Sequence, residues 1–144
     1  MAIRADLHIH TTASDGTWTP AELIEEAQRC GIGLMAVTDH DSVANVAEAG
    51  RMAAQAGIGF LPGAEICSTK GNLSFHILGY GIDITNKPLV ELMRHNEDLL
   101  EQKDVDSIRL LAREGWAVDE AEFARYTYDR RRGGWRALAY LIDK

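Results

Sequence analysis

Cysteine is scarce in this chain: Cys30 and Cys67 are the only two among 144 residues. They form no C-x-x-C pair and no disulfide framework, so a reducing cytoplasm is the expected compartment. Both read as packing residues, not nucleophiles. Long apolar runs are missing too. None approaches the roughly 20 residues of a membrane span, and the N-terminus lacks the apolar core of a signal peptide. Positive charge is in deficit: 15 Lys and Arg stand against 22 Asp and Glu, a formal net charge of -7. That balance argues against broad electrostatic binding of long nucleic acid. It leaves an anionic substrate open, because bound metal ions attract phosphate locally even on an acidic protein. Internal repeats and low-complexity linkers are absent.

What remains is ordinary globular composition, 46% hydrophobic and 26% charged, in a length that fits one modest domain with a real core. Ile3 to His8 reads as a short buried strand. Thr19-Pro20-Ala21-Glu22 is a capping box with proline at the first helical position. Leu23, Ile24, Ala27 and Cys30 share a helical face, and Gly31 ends that helix. Leu34 to Thr38 suits a strand covered on both faces. Ser42 is expected to cap a helix over Val43 to Ala56, and Ile58 to Leu61 forms a third strand. The alternation of strand and helix implies parallel strands with helical crossovers.

Leu73 to Tyr80 reads as a fourth strand, either antiparallel to the third or joined to it by a short irregular loop. A long helix begins near Asn86-Lys87-Pro88. Its apolar stripe is Leu89, Leu92, Met93, Asn96, Leu99 and Leu100, with a bend or break expected near Asp104-Val105-Asp106. Shorter helices follow over Asp119 to Tyr126 and Trp135 to Ile142. The division expected is an α/β core over 1–85 and a helical segment over 86–144, packed on or beside it.

The chemistry gathers at strand ends. His8 and His10 are two apart, so in extended backbone both imidazoles point to one side. Asp15 follows in a turn-forming S-D-G. Asp39 and His40 close the second strand, Glu65 closes the third, and His76 lies in the fourth. Four of the five histidines thus fall where the carboxyl ends of parallel strands converge, the usual place for an active site in α/β proteins. Imidazoles clustered there without a metal are costly to satisfy, and imidazole with carboxylate suits a first-row divalent ion.

Read together, D-L-H-I-H-T-T-A-S-D-G, V-T-D-H-D, G-A-E-I and H-I-L-G-Y resemble the successive motifs of the PHP (polymerase and histidinol phosphatase) family over residues 3–142. The resemblance implies a partial distorted (β/α) barrel with a helical C-terminal segment, and two or three divalent ions (manganese, iron or zinc) supplying a hydroxide that cleaves phosphoesters. Carried over, His8 and His10 hold one ion, Glu65 bridges it to a second that His76 also binds, and Asp15 and His40 hold a third. Asp39 is expected behind the ligands, orienting His40 or capping the next turn. Asp41 is expected to be structural, and His95 matches no motif.

Two departures from the family pattern bear on function. The family's barrel is longer and supplies a later Asp-x-His. It also often carries a histidine just before the last helix, where this chain has Gly133-Gly134-Trp135-Arg136, and an indole N–H cannot ligate a metal. The resemblance is therefore compatible with a piece of a longer phosphoesterase, a short protein that completes its half barrel as a homo-oligomer, or a degenerate relative. Hydrolysis of a small phosphorylated molecule or nucleotide is the leading expected function, ahead of a non-catalytic metal-binding or interaction module and of an exonuclease or proofreading domain. Arg130, Arg131 and Arg132 read either as a solvated basic patch or as phosphate contacts, with the patch reading ahead.

Overall fold

The computed structural model describes residues 3–144, so Met1 and Ala2 of the expected 1–85 core lie outside the described residues. The chain runs β1 (Ala5–Ile9), α1 (Pro20–Arg29), β2 (Leu34–Val37), α2 (Val46–Gln55), β3 (Gly59–Lys70), β4 (Leu73–Tyr80), α3 (Lys87–Arg113), α4 (Glu120–Arg125) and α5 (Arg136–Ile142). A single 3-10 turn covers Arg130–Arg132. The strands form one curled sheet in the order β1-β2-β3-β4. β1, β2 and β3 are parallel, and β4 turns back antiparallel to β3.

Local chemistry explains most of this. Thr19 and Glu22 complete the capping box of α1, with Pro20 in its first turn. Gly31, at φ 68, takes the left-handed conformation that ends α1. Leu23, Ile24 and Ala27 then bury one face of α1 against Met35 and Val37 of β2 and Val46, Ala49 and Ala53 of α2. A second, smaller core joins the C-terminal helices through Ile108, Phe123, Ala137 and Tyr140.

Four local expectations are corrected. β1 is not buried: it is an edge strand with β2 as its one described neighbour, and most of its residues are exposed. α2 starts at Val46, not Val43. The Ser42 hydroxyl accepts from Ala44 N–H at 3.3 Å, closing a tight turn that competes with helix. β3 continues far beyond Leu61, because Pro62-Gly63 marks a change of partner and not an end. Up to Pro62 the strand pairs with β2, and from Gly63 it pairs with β4. A Cβ on Gly63 would lie 3.0 Å from the carbonyl oxygens of both Val37 and Gly79. Finally, α3 is continuous through Asp104–Asp106, where Val105 packs against the second core.

Leu73, Phe75 and Ile77 lie on one face of β4 and are exposed, as are Leu92 and Leu99 of α3. Among the described residues no helix is long and apolar enough to cross a membrane.

Candidate metal centre

Pairing between β2 and β3 carries past the named strands. Glu65 N–H donates to Asp39 C=O at 3.1 Å, and Asp41 N–H donates to Glu65 C=O at 2.9 Å. This bridge sets His40 beside Glu65. The antiparallel register of β3 and β4 brings His76 opposite Cys67, two residues beyond Glu65 and on the same strand face. His8 within β1 and His10 just past its end reach the same carboxylate.

Glu65 is the hub. It is only 5% exposed. His8 Nε2 lies 2.7 Å and His10 Nε2 2.8 Å from its Oε2, and His76 Nδ1 lies 2.9 Å from its Oε1. Asp15 Oδ1 is 2.6 Å from His10 Nδ1, and its Oδ2 is 3.8 Å from His40 Nε2. Burial works to raise the Glu65 carboxyl, but the hydrogen bond from His8 and the neighbouring imidazoles outweigh it, and its pKa lies below the ordinary value. Burial lowers the His40 pKa against the pull of Glu65 and Asp15. A neutral imidazole at neutral pH keeps the lone pair that a metal requires.

Three groups of donor atoms, each within 4.8 Å of one another, emerge: His8, His10 and Glu65; His10, Asp15 and His40; and His40, Cys67 and His76. The first two consist of imidazole and carboxylate, a donor set that fits zinc, manganese or iron. All six residues expected to be ligands are thus brought together.

Behind the ligands, Asp41 takes the structural role expected of it, while Asp39 has partners other than those expected. Asp39 is fully buried, yet it does not orient His40. Its carboxylate accepts from the Thr11 N–H and hydroxyl, each at 2.7 Å, and from the Ser14 hydroxyl at 2.6 Å. It anchors the loop that carries Asp15. Asn45 donates to the Thr11 hydroxyl at 2.8 Å and so serves the same loop. Asp41, buried at φ 44, accepts from Asn96 of α3 at 2.7 Å and from Cys67 N–H. Asn96 also donates to Cys67 C=O at 2.9 Å. This clamp ties α3 to β3 and explains a polar residue in an otherwise apolar stripe.

Beside the donors lies a cavity of about 1410 Å³ whose wall includes His40, Cys67, His76, Arg130 and Trp135. Arg131 pairs with Glu22 at 2.6 Å, and Arg132 makes a two-point contact with Asp143 at 2.7 and 2.8 Å. Neither lines the cavity. Arg130 does, donating to the Ala13 carbonyl at 2.8 Å. Trp135 sets its indole against His40, with ring centroids 5.4 Å apart. His95 is exposed on α3 at the cavity wall.

A PHP domain model matches residues 6–138, nearly the whole chain. The chain belongs to the PHP family. Its similarity to the 5'-3' exoribonuclease Rnm of Escherichia coli is 35% identity over 142 residues, covering 87% of this chain and 48% of that protein. The 3',5'-nucleoside bisphosphate phosphatase of Chromobacterium violaceum is 46% identical over 78 residues, covering 54% of this chain and 27% of that protein. Among solved structures, an amidohydrolase from Chromobacterium violaceum with bound sulfate and no metal superposes with a TM-score of 0.80 at 31% identity. The match takes in 97% of this chain and 50% of that one. The curled four-strand sheet with C-terminal helices is thus about half of a PHP fold, and the chain spans less than half the length of these curated relatives.

Cys67 is the donor that sequence reasoning passed over. Its signal was its position two residues after Glu65, which becomes visible once β3 is extended to Lys70. Thr11, Ser14 and Asn45 left no comparable signal, because their roles depend on a hydrogen-bond geometry that only the folded loop creates.

Proposed function

We propose that this PHP half-barrel is a metal-dependent phosphoesterase site acting on a small phosphorylated molecule or nucleotide. One observation carries the reading: a buried carboxylate, Glu65, meets three imidazoles, two from β1 and its end and one from β4, at 2.7–2.9 Å, beside an open cavity. His8, His10, Asp15, His40, Glu65 and His76 would hold divalent ions. When bound, such ions supply Lewis acidity toward phosphoryl oxygens and lower the pKa of water.

The chain's own residues do the rest. Asp39 keeps the loop of Asp15 in place. Arg130, whose described side-chain contact is a backbone carbonyl, offers guanidinium N–H groups to a phosphate oxygen. In the net reaction water adds to phosphorus, the ester P–O bond breaks, and the leaving alcohol takes up a proton. The net charge of -7 favours compact anions over long nucleic acid. The named activity of the Chromobacterium violaceum relative on a nucleoside bisphosphate is in keeping with this substrate class, whereas that of the Escherichia coli relative belongs to the exonuclease alternative.

A second reading rests on Trp135. The indole occupies the flank of His40 and brings no metal-ligating atom, which favours a scaffold that binds metal without turnover. Phosphate release from a 3',5'-nucleoside bisphosphate, with and without manganese or zinc, separates the two. Release that is abolished by chelator and by His10→Ala supports hydrolysis. Metal binding without release supports the scaffold. Stepwise release of mononucleotides from a short oligoribonucleotide would instead favour the exonuclease class.

A further inference from the structure

Cys67 is not explained by packing alone. It sits on the ligand-bearing face of β3, opposite His76 in the β3–β4 register. Its Sγ lies 4.0 Å from His40 Nδ1, and its donor atom lies within 4.8 Å of those of both His40 and His76. Around a tetrahedral zinc ion, sulfur and nitrogen ligands are about 3.5 Å apart, so rotation of a side chain suffices to close the group. The backbone of Cys67 is held on both sides, its N–H by Asp41 and its carbonyl by Asn96. The sulfur is therefore presented from a fixed strand position. A thiol in this position serves as a ligand because coordination displaces its proton.

We infer that Cys67 is a metal ligand, forming with His40 and His76 a sulfur-containing seat for thiophilic divalent ions such as zinc and cobalt. The inference rests on the metal-centre reading above and extends it by a ligand and a selectivity. His40 is the shared element. Its Nε2 faces Asp15 at 3.8 Å, and its Nδ1 lies between Glu65 Oε2 at 3.8 Å and Cys67 Sγ at 4.0 Å. A neutral imidazole has one lone pair to give, so His40 serves either the Asp15 group through Nε2 or the Cys67 group through Nδ1. Manganese, which prefers carboxylate oxygen, takes the His10–Asp15–His40 group. Zinc and cobalt, which accept thiolate, take the Cys67 group.

The test uses the full chain, stripped of metal and titrated with cobalt(II), reading both the number of ions bound and the near-ultraviolet thiolate-to-cobalt charge-transfer absorption. The expected result is a charge-transfer band in the wild type that Cys67→Ser abolishes and Cys30→Ser leaves intact. Cys67→Ser still binds cobalt through His8, His10 and Glu65, which also shows that the variant is folded. Cobalt bound without the band, or a band that survives Cys67→Ser, overturns the sulfur ligand and leaves the metal centre standing. No cobalt bound at all overturns both.

Discussion

The carboxylate of Asp39 accepts two hydrogen bonds from Thr11, one from the backbone N–H and one from the hydroxyl, each at 2.7 Å. A fully buried acid is thereby joined to the loop that carries Asp15, across a gap of 28 residues. Asp39→Ala leaves two Thr11 donors buried without this acceptor and the Ser14 hydroxyl with only the longer contact to Asp15 Oδ1 at 3.3 Å. We expect a loss of about 3 kcal/mol in urea unfolding and a drop of about 10–100-fold in metal affinity, the usual cost of removing a group that orients ligands. Asp39→Asn, which keeps one acceptor in place, should recover part of both.

Gly16 tests the same loop by crowding it. A Cβ built there lies 2.3 Å from the His10 carbonyl oxygen, and backbone cannot swing aside as a flexible side-chain tip can. Gly16→Ala is expected to destabilise by about 1–3 kcal/mol and to weaken metal binding by displacing Asp15 from His10. Gly57→Ala serves as the control. It meets no atom within 4 Å and pays only for its φ of 72, about 1 kcal/mol, with metal affinity unchanged.

The arginines divide by partner. Arg130→Ala should weaken binding of a nucleoside bisphosphate to the metal-loaded chain by about 10–100-fold, the loss of a charge-assisted hydrogen bond. Arg131→Ala, which breaks the pair with Glu22, should leave that affinity unchanged. Calorimetric titration of both variants distinguishes a phosphate contact at the cavity from a general effect of surface charge.

Glu22 links stability to pH. Its hydrogen bond from Arg131, followed by that from the Thr19 N–H, lowers its pKa from the ordinary 4.5 to about 2. The folded state therefore binds this proton less readily than the unfolded chain does. The stabilisation is complete above about pH 4.5 and is lost as the pH falls toward 2. Melting curves of wild type and Glu22→Gln should differ most near neutral pH and converge at about pH 2. A difference that stays constant across this range would show that charge on Glu22 contributes nothing.

Much of this was legible in the chain itself. α1 announced its start through Thr19-Pro20-Ala21-Glu22 and its end through Gly31. The buried run from Leu34 marked the central strand, and β4 matched its expected bounds. These signals act within a few residues of one another. What escaped depends on distant partners. Pro62-Gly63 looks like a terminator until β4 arrives to pair with Gly63. Asp104–Asp106 looks like a break until the second core covers Val105. The six expected ligands could be named because the H-x-H, S-D-G, V-T-D-H-D, G-A-E-I and H-I-L-G-Y motifs resemble those of the PHP family, while convergence of strand ends pointed to most of the same residues. Asp39 could be named but not assigned its partner, since Thr11 and Ser14 approach it only in the folded loop.

Binding of divalent ions at Glu65 is best tested by equilibrium dialysis of the metal-stripped chain against zinc or manganese, with bound ions counted per chain. Wild type is predicted to retain ions, and Glu65→Ala to lose at least one per chain while its circular dichroism stays native. Retention of no ions by the wild type, or an unchanged count in a folded Glu65→Ala variant, would mean that the imidazoles gather around Glu65 for a purpose other than metal.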